Sequence, residues 1–403
     1  MNGSCPPDFP TSRTNVPSAS PTSTQPPTDI LQASQISAGS FHNCVVTEDG
    51  VKCWGWGLHF NGVDEDITRP VWVLGLERGS GVTAMCSGRD HNCALKGKQV
   101  FCWGANYLAQ IGLDPAVASF VNKPHLIDRL QNFDVKSVSC GWYHTCALLS
   151  DNRAFCWGIN SFGELGSGSD GVPVQWIPQQ VFSYDDIVSI VAVARSTCVV
   201  RLVMNNNNNE TWCWGRNLDG ELGIGSESTV EVQALRMVLQ FPSFPRVLTA
   251  GNYDLCGIDD ESGAAFCVGR GEFGQLGYGG DETRNILTHV FGLGHGVRDI
   301  SSSKGSSKAC AVMTTGEAKC WGRFETHNCC LGDGSASKQA SVPVSVYGAH
   351  DHKQISVGSR VTCSIRGPNS EVWCWGNNAE GALGNGTVNG FALIPQPVFV
   401  GDP

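Results

Sequence analysis

Short stretches in which apolar and polar residues alternate recur along most of this chain, separated by turns that contain glycine. Such alternation indicates β-strands that bury one face. The clearest unit predicts four strands, the last of them edge-like because it contains Pro178. The predicted strands are residues 135–139, 141–149, 153–158 and 177–182, joined by a turn at 150–152 and a loop at 163–166.

A pair of cysteines marks each of seven copies of this unit. The second cysteine lies 9 to 15 residues after the first and opens the tripeptide Cys-Trp-Gly, or Cys-Val-Gly in one copy. Successive second cysteines are 49 to 57 residues apart, a period typical of propeller blades. The pairs are Cys44 with Cys53, Cys93 with Cys102, Cys146 with Cys156, Cys198 with Cys213, Cys256 with Cys267, Cys310 with Cys320 and Cys363 with Cys374.

The repeat predicts an all-β fold: a single closed seven-bladed β-propeller of four-stranded antiparallel blades, with one hairpin disulfide per blade. A lone blade cannot bury both faces, so neighbouring blades must stack, and ring closure removes the exposed ends. Residues 35–403 would form the propeller. Residues 1–34, rich in Pro, Ser and Thr, would be a disordered tail. We expect repeats near residues 36–81, 82–134, 135–186, 187–246, 247–297, 298–353 and 354–403.

Glycines recur in register with the cysteines. One stands five positions before the first cysteine in six copies, and Val193 replaces it in the fourth. The tetrapeptide Gly-x-Leu-Gly begins at Gly163, Gly220, Gly274 and Gly381, shortly after Trp-Gly or Val-Gly. The glycine before the cysteine suggests positive φ or a close approach of a neighbouring strand.

These motifs resemble the repeats of the regulator of chromosome condensation family, whose members are seven-bladed propellers. The matching elements are Gly-x-x-His-x-x-Ala-Leu, Trp-Gly-x-Asn-x-x-Gly-x-Leu-Gly and Pro-x-x-Val, over about residues 36–400. The cysteine pair is a departure from the intracellular family's pattern and indicates a cysteine-paired, extracellular variant. The histidine position holds His42, His91 and His144, and the asparagine position is assigned to Asn160, Asn217 and Asn377.

The spacing of the paired cysteines favours disulfides. Cys44 and Cys53 can lie directly opposite each other around a two-residue turn at Glu48 and Asp49. We expect sulfur–sulfur distances of about 2.05 Å and Cα separations of about 5–6 Å, with the fourth hairpin deviating most. Zinc binding and buried free thiols are the alternatives, although zinc needs four ligands at one point and the pairs lie on separate blades. Disulfides predict an oxidising compartment.

Five further cysteines lie outside these pairs. Cys86 and Cys140 fall on the inner strands of adjacent blades and are predicted to be buried thiols. For Cys329 and Cys330 the alternatives are a vicinal bridge and the pairing of one of them with Cys5. Because 19 is an odd number, at least one thiol stays unpaired or pairs outside the chain.

Three N-glycosylation sequons begin at Asn2, Asn209 and Asn385, the second in the fourth hairpin loop. With the disulfides, they predict an extracellular or cell-surface protein. The first residues show neither the charged nor the apolar region of a signal peptide, so we expect a fragment, a processed form or a mis-called start. The chain carries a net charge of −10 and no visible basic patch, which argues against nucleic-acid binding. No apolar run of about 18 residues occurs, so no membrane insertion is expected.

The recurrent histidines and tryptophans favour packing over chemistry. Equivalent positions on three blades are too far apart to hold one metal ion, so each histidine is expected to bond local backbone. The tryptophans of Cys-Trp-Gly are expected to pack between blades, since a chromophore cluster would need more tryptophans at the position of Trp142. No metal, cofactor or catalytic residue is expected. An active site assembled from loops is the alternative.

The sequence therefore predicts a non-enzymatic extracellular binding or scaffold protein, a monomer that holds a protein or glycan partner on a loop face of the propeller. The alternative is a guanine-nucleotide exchange factor for a small GTPase, which the resemblance to the founding family member implies. That protein works in the nucleus, where a reducing environment would keep these cysteines open. Divergent loops that would provide specificity are residues 58–68, 112–123, 167–177, 204–210 and 324–338.

Overall fold

The structure, a computed structural model, describes residues 29–56, 65–168, 172–203, 208–225, 232–237, 241–243, 245–323, 330–348 and 350–400. In these ranges, 28 strands form seven four-stranded antiparallel sheets, each built from four strands consecutive in the chain. The predicted all-β, seven-bladed propeller is confirmed. The described ranges also contain two 3₁₀ turns, Asp128–Leu130 and Ala379–Gly381. None of the helices in the described ranges has the length and apolar character that a membrane crossing requires.

The first four blades contain strands β1 to β16. In chain order these are β1 (Gln35–Ala38), β2 (His42–Val46), β3 (Val51–Trp56), β4 (Asp66–Trp72); β5 (Val82–Ser87), β6 (His91–Lys96), β7 (Gln99–Ala105), β8 (Phe120–Leu126); β9 (Val135–Cys140), β10 (His144–Leu149), β11 (Ala154–Ile159), β12 (Val174–Gln180); β13 (Ile187–Val193), β14 (Ser196–Val203), β15 (Asn208–Gly215) and β16 (Val232–Met237).

The last three blades contain strands β17 to β28. They are β17 (Pro245–Ala250), β18 (Asp254–Asp259), β19 (Ala265–Gly269), β20 (Arg284–His289); β21 (Val297–Ser302), β22 (Ser307–Met313), β23 (Ala318–Arg323), β24 (Gln339–Ser345); β25 (His352–Val357), β26 (Val361–Arg366), β27 (Glu371–Asn377) and β28 (Phe391–Pro397).

The hydrophobic core lies between blades rather than within them. One apolar cluster joins residues of the second and third blades, including Cys86, Leu95 and Trp157. Another joins the fifth and sixth blades, including Ile258 and Trp321. Because each blade hides its faces only against its neighbours, the ring has to close for the core to be complete.

A segment that the sequence analysis placed in the disordered tail helps to close the ring. The backbone N–H of Leu31 donates to the carbonyl of Val398, and Val372 donates to the carbonyl of Leu31, both at 2.8 Å. Leu31 and Ala33 are buried. The ordered propeller therefore begins before the predicted boundary at residue 35, because this segment bonds residues at the start of β27 and after β28 and buries two alternating apolar side chains in the core.

All seven predicted hairpin disulfides are present, with sulfur–sulfur distances of 2.01 to 2.10 Å. In each, the two cysteines are paired directly opposite each other on the second and third strands of one blade. The bonds join Cys44 to Cys53, Cys93 to Cys102, Cys146 to Cys156, Cys198 to Cys213, Cys256 to Cys267, Cys310 to Cys320 and Cys363 to Cys374.

The predicted Cα separation of 5–6 Å was wrong for all seven hairpins. The observed separations are 4.0 to 4.1 Å, because directly opposed cysteines occupy non-hydrogen-bonded sites, where antiparallel strands approach most closely. This correction applies equally to Cys44 and Cys53, Cys93 and Cys102, Cys146 and Cys156, Cys198 and Cys213, Cys256 and Cys267, Cys310 and Cys320, and Cys363 and Cys374.

The fourth hairpin does not deviate from the others, so that expectation was also wrong. The Cα separation of Cys198 and Cys213 is 4.1 Å, as in the shorter hairpins. The pairing of β14 with β15 continues without a shift from Ser196 opposite Gly215 to Val203 opposite Asn208. The two strands simply extend to accommodate the longer connection.

Candidate functional site

Histidines join the first four blades across the interfaces between them. Each stands two positions before a hairpin cysteine, and its Nε2 bonds the residue that directly precedes the corresponding cysteine of the next blade, at 2.8 to 2.9 Å. In the sixth blade, Lys308 takes this place and donates to Thr362 at 3.1 Å. The expectation of local backbone partners was wrong, because the imidazole is long enough to cross the interface. The histidine pairs are His42–Asn92, His91–Thr145 and His144–Thr197.

The recurrent glycine before each of these histidines makes room for the ring. A Cβ added to Gly39 would lie 2.4 Å from Cε1 of His42, and one added to Gly88 would lie 2.1 Å from Cε1 of His91. The glycine is therefore required by close approach rather than by positive φ. Burial lowers the pKa of His144 to about 3, so its ring is neutral near pH 7.

The tryptophans of Cys-Trp-Gly also reach the neighbouring blade, as predicted. All six are fully buried. The indole N–H of Trp214 donates to the carbonyl of Glu164, in the Gly-x-Leu-Gly loop of the preceding blade, at 2.9 Å. A Cβ added to Gly166, the last glycine of that loop, would lie 2.6 Å from the Trp214 ring. The Gly-x-Leu-Gly loop is thus the surface on which the next blade packs its tryptophan.

The asparagine of the repeat fixes the same loop. The side-chain Oδ1 of Asn160 accepts from the backbone N–H of Leu165 at 3.1 Å. In the last blade, Asn378 makes this bond to Leu383 at 2.9 Å. The assignment of this repeat position to Asn377 was therefore wrong by one residue, because a second asparagine directly follows it in the sequence.

Side-chain hydroxyls join the blades around the central channel. Each belongs to the first strand of a blade and accepts from a backbone N–H in the first strand of the next, at 2.9 to 3.1 Å. We call these side chains the wall hydroxyls. The pairs, acceptor first, are Ser37–Ser87, Ser139–Ala192, Thr249–Ser302, Ser301–Val357 and Ser356–Ala38.

A disulfide replaces the wall hydroxyl between the second and third blades. Cys86 and Cys140 are bonded to each other, with a Cα separation of 5.5 Å, so the prediction of two buried thiols was wrong. Their spacing of 54 residues, close to one repeat, was the signal that places them on adjacent inner strands. Cys330 is also disulfide-bonded. Cys5 and Cys329 lie outside the described residues.

One group of potential metal ligands lies beside this disulfide. Ligand atoms of His91, Cys93 and Cys140 are within 4.8 Å of one another, and all three residues are buried. Both cysteines are already bonded, Cys93 to Cys102 and Cys140 to Cys86. The sulfurs are therefore not thiolates, and thiolate is the form in which cysteine binds zinc.

The interface between the fourth and fifth blades lacks the histidine, tryptophan and wall-hydroxyl contacts that join other blades. Ser196 replaces the histidine, Val268 replaces the tryptophan and Val191 replaces the wall hydroxyl. An apolar cluster that includes Leu222 and Leu255 holds this interface instead. Burying apolar surface stabilises without specifying direction, whereas the side-chain hydrogen bonds at the neighbouring interfaces fix the orientation of the groups that they join.

Arginine and aromatic side chains gather on one face of the ring. It is the face that carries the turns between first and second strands and the loops between third and fourth strands. The rings and guanidinium groups contact one another: Arg270 lies 5.2 Å from the centre of the Tyr253 ring, and Arg360 lies 4.6 Å from that of Phe41. We call this surface the arginine–aromatic face. Its residues are Phe41, Trp56, Arg89, Tyr107, Trp142, Tyr143, Phe162, Arg195, Arg216, Tyr253, Arg270, Phe273, Arg323 and Arg360.

Acidic side chains balance only part of this positive charge. Four of the six arginines pair with a carboxylate. These pairs are Arg89 with Asp90 at 3.5 Å, Arg216 with Glu221 at 2.6 Å, Arg360 with Glu380 at 2.7 Å, and Arg270 with Glu272. Burial raises the pKa of Glu221, an effect that Arg216 opposes. Among the described residues, Arg195 and Arg323 have no acidic partner, and each lies over a phenylalanine ring at 4.8 and 5.0 Å respectively.

The arginine–aromatic face was not predicted from the sequence, although a signal for it is present there. Arginines recur at the position directly after Cys-x-Gly in the fourth, fifth and sixth blades, namely Arg216, Arg270 and Arg323. Aromatic residues recur three positions before the first hairpin cysteine, as in Tyr143 and Tyr253.

The loops proposed from sequence for partner binding lie on two different faces. Residues 112–123 and 167–177 connect third to fourth strands and border the arginine–aromatic face. Residues 208–210 belong to β15, at the end of the hairpin of β14 and β15 that lies on the opposite face, so the proposed loops do not form one surface. Residues 57–64, 169–171, 204–207 and 324–329 lie outside the described residues.

Two of the predicted sequons fall within the described backbone. Asn385 is partly exposed, and its Oδ1 accepts from the hydroxyl of Thr387 at 2.7 Å. Asn209 belongs to β15 and pairs with Leu202, rather than lying in the hairpin loop. Asn2 is outside the described residues.

Two sequence profiles match this chain, both described as the regulator of chromosome condensation (RCC1) repeat. They match residues 33–60 and 135–164, and residues 99–148 and 151–200. The chain thus contains regulator of chromosome condensation repeats, matched over residues 33–60 and 99–200. In its cysteine-paired, four-stranded blades, the histidine, tryptophan and Gly-x-Leu-Gly elements of the repeat all lie at blade interfaces.

Relatives of this repeat protein have different described roles. The ultraviolet-B receptor UVR8 of Arabidopsis thaliana is 28% identical over 381 residues, which cover 90% of this chain and 80% of the receptor. The probable E3 ubiquitin-protein ligase HERC6 of Homo sapiens is 32% identical over 205 residues, 49% of this chain but 19% of the ligase.

Solved structures show the same fold for this repeat protein. Prp20p of Saccharomyces cerevisiae, described with its binding to Gsp1p and histones, has a TM-score of 0.72 at 17% identity and covers 88% of this chain and 87% of its own. Human WBSCR16 has a TM-score of 0.68 at 20% identity, over 82% of this chain and 86% of its own.

Proposed function

We propose that this chain is a non-enzymatic binding protein whose arginine–aromatic face holds a protein partner that presents acidic side chains. The observation that carries the proposal is the concentration of six arginines on one face of a chain whose net charge is −10. Guanidinium groups bind carboxylates in a planar, bidentate geometry. Arginine and aromatic residues are also the side chains that most often dominate binding energy at protein interfaces.

Arg195 and Arg323 are the centres of this proposed contact. Each is held over an aromatic ring and has no carboxylate partner within the described residues. A carboxylate of the partner would replace water at a side chain that is already ordered, which lowers the entropy cost of binding. Tyr107, 44% exposed, adds apolar contact area at the same face.

We further propose that the protein works outside the cell, as a monomer. Seven hairpin disulfides and the bond between Cys86 and Cys140 support an oxidising compartment, because thiols in the cytosol and nucleus are kept reduced. If the chain passes through the secretory pathway, the partly exposed Asn385 should carry a glycan. The variant N385Q should then be lighter by one glycan, whereas equal masses would contradict secretion by this route.

The binding proposal is tested with a double variant and a matched control. R195Q/R323Q removes two charges from the face, whereas R78Q/R129Q removes two charges from exposed arginines elsewhere. Oxidised wild-type protein and both variants are used to capture partners from extracellular material, and the captured proteins are quantified. We expect R195Q/R323Q to lose the wild-type partner and R78Q/R129Q to retain it.

Two other results would overturn the proposal. If glycans are captured and their binding survives R195Q/R323Q, the partner is a carbohydrate held elsewhere on the ring. If the reduced protein accelerates nucleotide release from purified small GTPases, the chain is an exchange factor. Size-exclusion chromatography of the same samples tests whether the protein is a monomer.

A further inference from the structure

The central channel contains a half-buried lysine, Lys304, which extends into the channel from an enlarged turn. In the sixth blade, Ser302 pairs with Ala309, seven positions later, whereas Ala38 pairs with Asn43, five positions later in the first blade. Two additional residues therefore lie in this turn. Lys304 is among the residues of the turn, and its side chain crosses the channel to the opposite side of the ring.

The Lys304 ammonium is bonded only to neutral groups. Its Nζ donates to the carbonyl of Ser87 at 2.7 Å and to that of Cys140 at 2.5 Å. No carboxylate of the described residues pairs with it. An ammonium has three N–H donors, so these two bonds leave one. Burying a cation without a counter-charge is costly, and it lowers the pKa of Lys304 to about 8.

The cavity beside Lys304 is rich in hydrogen-bond donors. It has a volume of about 280 Å³ and is lined by Lys304 and all five wall hydroxyls. Each wall hydroxyl already accepts a backbone N–H from the next blade. Within the described chain, none of the five donates its own hydrogen to a protein acceptor. Five O–H groups and one ammonium N–H are therefore available to donate to an acceptor bound in the cavity.

We propose that this cavity binds a free tetrahedral oxyanion, phosphate or sulfate. Such an anion supplies several acceptor oxygens at once. It also supplies a negative charge that balances the Lys304 ammonium. The indole N–H of Trp142 donates to the carbonyl of Lys304, so these two residues bridge the ring on the arginine–aromatic side. We expect the anion to enter from the opposite face of the ring.

Thermal unfolding of the intact, oxidised protein tests the proposal. Inorganic phosphate or sodium sulfate is titrated at constant ionic strength, with chloride as the balancing anion. We expect a saturable rise in Tm with phosphate or sulfate that chloride does not produce. The variant K304Q keeps an amide that can donate to the same carbonyls but removes the charge. It should weaken the affinity about 10- to 100-fold, as loss of a charge-assisted bond does.

A second variant guards against a folding defect in K304Q. T249V keeps the shape of the side chain, removes one wall hydroxyl and leaves Lys304 in place, so it should weaken the affinity several-fold while the ring stays folded. Equal phosphate stabilisation of wild type, K304Q and T249V would place the anion elsewhere. Absence of any phosphate effect on folded wild type would show that the cavity holds only water.

Discussion

The indole N–H of Trp54 donates to the backbone carbonyl of Ala382, 2.9 Å away, although 328 positions separate the two residues. Trp54 belongs to the first blade and Ala382 to the Gly-x-Leu-Gly loop of the last. The closing interface thus uses the same bond that Trp214 and Trp321 make between consecutive blades. Ring closure is a repetition of the blade–blade contact, to which the segment around Leu31 adds backbone bonds.

The glycine that faces each tryptophan should be intolerant of a side chain. Gly277 has φ +67°, and an added Cβ would lie 2.7 Å from Nε1 of Trp321. Gly292 has nearly the same φ, +69°, and nothing lies within 4 Å of its added Cβ. G277A should therefore lose about 1–3 kcal/mol more free energy of unfolding than G292A, because only the first variant overpacks a core contact.

Denaturant titration of both variants measures this difference. The two substitutions share the backbone strain of a left-handed conformation, so that cost cancels in the comparison. Equal losses for G277A and G292A would show that the indole can move away at little cost.

The disulfide between blades should stabilise more than a hairpin disulfide. Cys86 and Cys140 are 54 positions apart, whereas Cys44 and Cys53 are 9 apart. In the chain-entropy account, the longer loop contributes about 4 kcal/mol and the shorter about 2.5–3 kcal/mol. C86A/C140A should accordingly unfold at lower denaturant concentration than C44A/C53A. The opposite order would mean that native contacts, rather than loop closure, set the contribution.

Stability should fall in mild acid because of His144. Above about pH 7 the imidazole is neutral in both the folded and the unfolded chain, so its contribution to the free energy of unfolding is complete. Below the unfolded pKa of about 6.5, the unfolded chain takes up a proton that the buried ring, with a pKa of about 3, refuses. This difference in proton uptake lowers the free energy of unfolding by about 2 kcal/mol between pH 7 and pH 5.

The variant H144Q isolates that contribution. Unfolding free energies of wild type and variant are compared at pH 7 and pH 5, and their difference should shrink at the lower pH. The comparison is necessary because burial raises the pKa of Asp254 to about 7, which acts in the opposite direction as the pH falls. A difference that is the same at both pH values would mean that the His144 ring is accessible to protons in the folded state.

Restoring a hydroxyl to the interface between the fourth and fifth blades should stabilise it. V191T keeps the side-chain shape and places a hydroxyl where the other blades have one, within reach of the backbone of Ala250. We expect a gain of about 0.5–1.5 kcal/mol and slower hydrogen exchange at the amides of β17. A net loss of stability would show that the hydroxyl is buried there without a partner.

The sequence alone determined the architecture. Seven cysteine pairs in register set the number of blades and the pairing of their second and third strands, because opposition across a hairpin depends only on local spacing. The Gly-x-Leu-Gly loops were equally visible, since each position recurs. Cys86 and Cys140 were visible as well, but their bond depends on how two neighbouring blades face each other.

Only the tertiary structure decided which side chains meet across the ring. His144 finds its partner Thr197 in another blade, and Lys304 reaches Ser87 from the other side of the channel, 217 positions away in sequence. The arginine–aromatic face likewise combines residues from all parts of the chain. Stacking and closure of the blades create these contacts, so local sequence pattern does not encode them.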